Sequence, residues 1–482
     1  MKKRSIKINA ILNMTRTLLG IIFPLITFPY ISRVLGVDNI GKINFSSSII
    51  SYFTLIAAFG VSTYAIREGA KIRDKKEEFY AFANQVFTIN VVTSAIAYIL
   101  LFVLLLISRQ LHNYSLIIAI QCTSIFFATL GNDWINNIYE DFVYTTIRGL
   151  IFQIISLILM FVLVHDSSDY YIYTAITVLA SAGGNISNYF YCKRYAKVRL
   201  TFKVEYRKHL PSMVMFFFSN ITTIIFLNSD QTMLGVMCGD YNVGLYSVSV
   251  KIYSIVKSVF TSILTVALPR MIYMTSNVAK RDADDFRNNI LIVFLTLVCP
   301  LAVGLFILSD AAIAIVGGPE YMDAVISLRI LSVSVLCSAA ASFMTYLVIL
   351  PQNKEKIMVR ASTISACTNV LLNLVFIRIL AQNGAALTTA ISEAIVFFVE
   401  FKGVSVYFDS QKIIKNLFQV TLGCAGIVLV NVLARKIISN LIVSSIITVP
   451  ISIIVYFFVL LVCRNALAHY FMNWFKNQIS KQ

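Results

Sequence analysis

Charge is scarce in this sequence. Of 482 residues only 13% are charged, about half the share of a soluble domain, so a water-facing surface of ordinary size cannot be built from it. Histidine is rarer still. The four copies, His112, His165, His209 and His469, each lie near the end of an apolar run, which excludes a histidine-based metal or catalytic centre inside a membrane. C-x-x-C pairs are missing as well. The eight cysteines are scattered, mostly within apolar runs, and read as small apolar packing residues. A cleavable leader is not expected either. The basic start, Met1–Lys7, precedes an apolar run, but Ile8–Ile31 is too long, holds Arg16, Pro24 and Pro29, and has no small-residue cleavage site. It predicts a retained first helix, kinked at Pro24.

Apolar length fills the remainder. Hydrophobic residues make up 58% of the chain, with 35 Phe and 24 Tyr, and the mean hydropathy is +0.79. A membrane span needs about 20 mostly apolar residues. Windows of that kind fall near 9–31, 43–64, 82–107, 115–135, 147–164, 171–190, 212–234, 245–269, 290–309, 325–349, 359–380, 385–406, 417–433 and 441–462. The pattern predicts an all-α polytopic membrane protein of about fourteen spans. The fourth and fifth have blurred edges, at Asp133-Trp134 and Glu140-Asp141, and the thirteenth is short.

The net charge of +17 is explained by where the basic residues sit, in short loops between apolar runs, and calls for no nucleic-acid partner. With the N-terminus placed inside, thirty Lys and Arg fall in inner segments and six in outer ones, Arg33, Lys42, Arg109, Arg378, Arg435 and Lys436. That bias predicts both termini in the cytoplasm and an even number of spans. The longest inner loop, Tyr191–Pro211, is strongly basic and follows the sixth span. It reads as a hinge-like connector, as an anchor to anionic lipid, or as both. The expected organisation is an N-terminal six-helix bundle over 1–192, the connector over 193–211, a C-terminal six-helix bundle over 212–410, and two additional helices with a tail over 411–482.

A short repeat supports two related halves. Leu35-Gly36-Val37-Asp38-Asn39-Ile40-Gly41 follows the first span. Leu234-Gly235-Val236 with Asp240-Tyr241-Asn242-Val243-Gly244 follows the seventh, about 200 residues later. Copies separated by an even number of spans share one orientation, as in several transporter folds.

Four basic residues remain within spans: Arg16, Lys251, Lys257 and Arg329. Charges there are costly and usually face a cavity. Lys257 lies deepest, about 18 Å in at 1.5 Å per residue; for the other three, snorkelling to an interface is the competing account. Their sign favours an anionic ligand, a pyrophosphate headgroup being one that suits it. Glu393 and Glu400 share one face of span twelve, and Asp133 and Asp230 lie near span ends. Glu393 either neutralises Lys257 or, with the other carboxylates, couples transport to an ion gradient. No cofactor or metal motif is present.

The sequence resembles the Wzx-type flippases of O-antigen and capsule repeat units, in the MOP superfamily that also holds the MATE exporters. The resemblance rests on Phe28-Pro29-Tyr30-Ile31-Ser32-Arg33-Val34-Leu35-Gly36 with Gly41, and on Asp133-Trp134 followed by Glu140, Phe142, Tyr144 and Arg148. It continues through Asp230–Gly235, Val243–Ser247 with Lys251, Gly317, Glu320-Tyr321, Asn369, Asn373, Gly384–Ala386 and Glu393. The segment between Trp134 and Glu140 departs from the family pattern. Such a resemblance implies a MATE-like fold of two six-span bundles around a cavity open alternately to each side. It implies an undecaprenyl-pyrophosphate-linked oligosaccharide as cargo, a bacterial inner membrane as its place, and contact with membrane lipids and other polysaccharide assembly proteins. Spans one, two, seven and eight then line the cavity, with Arg16, Lys251 and Lys257 on them. Two rivals stand beside it. A MATE-like drug or metabolite exporter is disfavoured for cationic cargo, because spans one to three hold no acid. A membrane-embedded polymerase or glycosyltransferase is disfavoured by outer loops too short for a catalytic domain.

Overall fold

The computed structural model describes residues 6–465 and 467–468, with side chains from residue 23 onward. The described residues form helices and no strands. In chain order these are α1 (Ile6–Ala58), α2 (Val61–Ile72), α3 (Lys76–Ile107), α4 (Arg109–His112), α5 (Ser115–Gly131), α6 (Asp133–Ile138), α7 (Phe142–Leu163), α8 (Tyr170–Cys192), α9 (Tyr206–Cys238), α10 (Asp240–Asn277), α11 (Lys280–Ile307), α12 (Ser309–Val316), α13 (Val325–Met344), α14 (Glu355–Gly403), α15 (Ser410–Ile437) and α16 (Leu441–Val462).

Ten helical stretches among the described residues are long and apolar enough to cross a membrane. Two contain a break: α1 at Gly36, with φ 75° and ψ 172°, and α14 at Ala381, with φ 47° and ψ −125°. Counting each of these as two, and adding α5 and α8, gives fourteen rods, one in each expected window. This is the multi-span all-α architecture that the apolar windows predict. Helix α1 runs through Pro24 and Pro29, and its one non-helical residue is Gly36.

The blurred edge at Asp133 and Asp141 is two turns and a short helix. Asn132 and Glu140 adopt positive φ, 49° and 55°. They flank α6 and let the chain stop at Gly131 and restart at Phe142.

The chain divides into two compact units, Met1–Gly244 and Leu245–Gln482. The expected bundles were bounded instead around the connector, near 192–212. That division concerns spans and their symmetry rather than compactness.

In the first unit α1 packs on α3, α5, α7 and α9, and α8 packs on α5 and α7. Two apolar cores cap its ends. One gathers Tyr64, Phe79, Phe82, Trp134, Ile138 and Met213 from α2, α3, α6 and α9. The other gathers Ile31, Leu35, Ile43 and Met160. In the lipid zone, where apolar burial provides no drive toward a neighbouring helix, close approach does the packing. The Phe152 ring of α7 occupies the space a Cβ at Gly183 of α8 would need.

In the second unit α13 packs on α14 and α11, and α11 and α16 both pack on α15. A buried amide cluster ties the last two spans to α11. Asn465 donates to Asn416 Oδ1 at 2.9 Å and Gln419 Oε1 at 2.8 Å, and Thr296 donates to Asn416 Oδ1 at 3.1 Å.

The repeat is present with a corrected register. Sequence alone pairs Gly36 with Gly235, but Gly235 is helical and lies against the Phe45 ring. The residue that breaks the chain as Gly36 does is Gly239, with φ 83° and ψ 178°. Three residues after each glycine, an asparagine donates back to the carbonyl just before it: Asn39 to Leu35 O at 3.1 Å, and Asn242 to Cys238 O at 2.9 Å. Gly41 and Gly244 follow at the same spacing. A Cβ at Gly41 would strike the Asp240 carbonyl, and one at Gly244 the Val37 carbonyl. The two turns thus pack on each other reciprocally within the first unit.

Candidate functional site

In the first unit, the second rod of α1 carries Ser47, Ser51, Thr54 and Ala58 at helical spacing, so they share one face. With Asn220, Thr223 and Ile224 of α9 they line a crevice of about 460 Å³. Ser47, Thr54, Asn220 and Thr223 are exposed. Small hydroxyl and amide side chains exposed within spans belong on a wet cavity rather than on lipid. The lining contains no charged residue. Deeper in the same contact, Tyr52 pairs with Thr232 at 3.2 Å, and Thr232 donates to Ser48 Oγ at 2.8 Å.

The carboxylates of this unit occupy different settings. Asp133 takes a two-pronged bond from Arg148, both contacts at 3.0 Å, and a third from Asn188 at 2.9 Å. Asn188 also accepts from Asn136 at 2.5 Å. Here the segment that departs from the family pattern contributes Asn136, fully buried. Asp230 is buried on α9. Asp141, not singled out from sequence, is buried and accepts from Tyr191 and Tyr195 at 2.6 and 2.9 Å and from Arg194. The Arg194 guanidinium lies over both tyrosine rings.

In the second unit, Lys257 is paired. Its ammonium donates to Glu393 Oε1 at 2.5 Å, and the Tyr253 hydroxyl donates to the same oxygen at 3.0 Å. Glu393 is 4% exposed. This is the neutralising arrangement, one of the two readings open for Glu393. Lys251, six residues earlier on α10, is half-buried and makes no side-chain hydrogen bond or ion pair with a described residue. Glu400 is 2% exposed. Its two oxygens accept from Thr345 at 2.9 and 3.1 Å, and no cation lies within ion-pair reach among the described residues. Thr345 opens a single π-helical turn, Thr345–Ile349, a feature often found at functional positions.

Arg329 stacks over Phe306 at 5.9 Å, and its Nε is buried without a partner. Close by in the charge pattern is a pair that sequence reasoning missed. Arg435, counted from sequence among the outer loop charges, donates to both oxygens of Asp310 at 2.6 and 2.7 Å and to Ile307 O at 3.1 Å. Burial opposes the charge on Asp310. The Arg435 hydrogen bonds and charge, the Ala311 N–H and the Arg329 charge outweigh it, and the carboxyl is held below its usual range. The Arg16 side chain lies outside the described residues. Among the described residues no group of three His, Cys, Asp or Glu is placed to hold a metal. Among the described sequence-predicted residues, Lys257 and Glu393 meet, while Asp133 bonds Arg148 and Glu400 bonds Thr345.

The long apolar helices among the described residues, joined through two related turns, define a multi-span membrane fold. Among solved structures, a lipid II flippase MurJ in an inward closed conformation superimposes with a TM-score of 0.74 at 18% identity, over 95% of this chain and 99% of that one. An inward-facing MATE-family multidrug resistance transporter of the MOP superfamily gives a TM-score of 0.52 at 13% identity, over 82% and 97%. The fold is thus that of the MOP transporters, as the resemblance implied. Residues 6–275 match the polysaccharide biosynthesis protein family, and the chain belongs to that family. A putative O-antigen transporter of Escherichia coli (strain K12) is 24% identical over 388 residues, 78% of this chain and 91% of that one. The Wzx-type, MATE-like identification holds, and the chain is a multi-pass transporter rather than an enzyme.

Proposed function

We propose that this protein is a flippase that carries undecaprenyl-pyrophosphate-linked oligosaccharide repeat units across a bacterial inner membrane by alternating access, with two six-span bundles over 1–192 and 212–410 and both termini in the cytoplasm. The observation that carries the reading is the crevice between α1 and α9. It is an uncharged, mostly apolar crevice edged by Ser47, Asn220 and Thr223, with the Ser51 and Thr54 hydroxyls donating to their own helix. It lies on membrane-spanning helices of a chain from a polysaccharide biosynthesis family, which suits a lipid-linked neutral glycan better than a charged solute. A cationic drug would want an acid there, and the lining holds none.

Lys251 is the first candidate for the pyrophosphate, because its charge is not spent on a partner among the described residues. Lys257 is held by Glu393, and Arg329 and Arg16 rank behind it. Glu400 is the first candidate for ion coupling. A buried carboxyl facing one hydroxyl and no cation can change charge without breaking an ion pair. Asp133 and Glu393 are already committed to Arg148 and Lys257, and Asp230 follows Glu400.

The test is movement of a labelled lipid-linked oligosaccharide in proteoliposomes. Wild-type protein should accelerate its transfer between leaflets, and an imposed proton gradient should change the rate in wild type but not in Glu400→Gln. Lys251→Gln removes a charge-assisted contact of about 1.5–3 kcal/mol, about a 10- to 100-fold loss of affinity. Unchanged transfer by Lys251→Gln would sink its headgroup role. Export of organic cations with no glycolipid movement would favour the drug-exporter reading instead.

A further inference from the structure

The connector between α8 and α9 does not hang free. Three of its backbone N–H groups are received by side chains on one stretch of α3: Arg199 by Asn84 Oδ1 at 2.7 Å, Thr201 by Thr88 Oγ1 at 3.0 Å, and Glu205 by Gln85 Oε1 at 3.0 Å. Gln85 Oε1 also bonds the ring Nε2 of buried His209 at 2.8 Å, and Tyr64 holds the other ring nitrogen at 2.7 Å. Val198 and Val204 turn into the apolar core. Between them the chain turns outward: Leu200 is 64% exposed and Phe202 107%. A strap fixed at this many points, with no regular secondary structure of its own, has a defined depth.

That depth can be read from α3. Its 32 residues span about 48 Å at 1.5 Å per residue, well beyond the ~30 Å of a hydrocarbon core. The far end, Leu104–Ile107, is wholly apolar, whereas Glu77, Glu78, Asn84 and Gln85 mark the near end as polar. Counting about 20 residues back from Ile107 places the hydrocarbon boundary close to Thr88. Thr201, bonded to Thr88, therefore sits at the boundary, and so do the exposed Leu200 and Phe202 beside it. All seven Lys and Arg of 193–208 are exposed, and Glu205 is the one acid among them.

We propose that the strap 197–205, together with the first turn of α9, is a lipid-binding surface. Leu200 and Phe202 insert among the acyl chains of the leaflet at the Lys76 end of α3, while Lys197, Arg199, Lys203 and Arg207 hold anionic headgroups. An aromatic and a leucine at the boundary, ringed by basic side chains, are the features of an interfacial anchor. Headgroups supply the negative charge that the protein does not. The inference is independent of the cargo, since it rests on the first unit's connector alone.

The full-length protein, with Trp134→Phe and Trp474→Phe, takes Phe202→Trp as a reporter in nanodiscs of phosphatidylcholine with or without phosphatidylglycerol. The expected result is blue-shifted emission, strong quenching by chain-brominated lipid and weak quenching by iodide, with thermal stability raised by the anionic lipid. Replacing Lys197, Arg199, Lys203 and Arg207 by Gln should abolish the anionic-lipid effect. Red-shifted emission quenched by iodide in anionic discs overturns the proposal, as does identical behaviour in both lipids. Shielding that appears only on adding a soluble protein fraction overturns it in favour of a protein partner. Leu200→Trp serves as the second reporter should Phe202→Trp fail to fold.

Discussion

At the scale of single residues, an ionisable side chain inside a span is informative only once its partner is known. Lys257 lies on α10, and its ammonium is spent on Glu393. Removing one member of such a pair leaves an uncompensated charge, at a cost of about 3–5 kcal/mol when fully buried. Lys257 keeps 34% side-chain exposure and Glu393 6%, so the lower end applies. Lys257→Met alone should therefore lower thermal stability and abundance. The double variant Lys257→Met, Glu393→Gln should recover most of that loss. A thermal-unfolding cycle over the four proteins in one detergent checks this; equal, additive losses would mean the pair is not coupled. Export measured in the double variant then separates a transport role from a folding role, which Lys257→Met by itself cannot do.

At the scale of elements, two turns govern how the rods join. Gly36 and Gly239 adopt a backbone region that is nearly closed to other residues, and Gly41 and Gly244 admit another main chain where a Cβ would stand. These are separable effects. Around Gly239 nothing lies within 4 Å of an added Cβ, so Gly239→Ala should cost only backbone strain, about 1–3 kcal/mol. Gly244→Ala must push back the Val37 carbonyl and should cost more. Gly149 is helical with open space around it; Gly149→Ala should be neutral or mildly stabilising. Unfolding temperatures in that order support the assignment, and a Gly244→Ala protein as stable as wild type refutes it.

The sequence showed that a repeat existed but not its register. Two glycines stand within five residues of each other, and only the backbone angle distinguishes a helical Gly235 from the break at Gly239. The same limit applied to the side-chain pairs. Asp133–Arg148 is 15 residues apart, but Arg435–Asp310 is 125 and Lys257–Glu393 136, and periodicity within one helix carries nothing about which helix packs beside it. Short elements such as α2, α6 and α12 were hidden because each is a few turns long and borders a long apolar run. The spans themselves were legible throughout, since length and apolarity are properties of one segment at a time.

At the scale of the whole molecule, the number of rods and the loop charges make one joint statement. In the proposed topology fourteen crossings return the chain to the side on which it began, and thirty of forty Lys and Arg fall in the segments assigned to that side. The rule works because basic residues resist transfer across the membrane during insertion. The proposed topology therefore assigns every loop at once, and one loop from each set suffices to check it. The eight cysteines are all free thiols, so they are first replaced by serine or alanine. Asp166→Cys, in the loop between α7 and α8, should then react with an impermeant maleimide added to intact cells. Glu205→Cys, in the basic strap, should react only after the membrane is opened. Reversed reactivity would invert the chain. Labelling of both residues in intact cells would mean that an even number of crossings lies between the two loops instead of the single crossing of α8, and the two-bundle arrangement would fall with it.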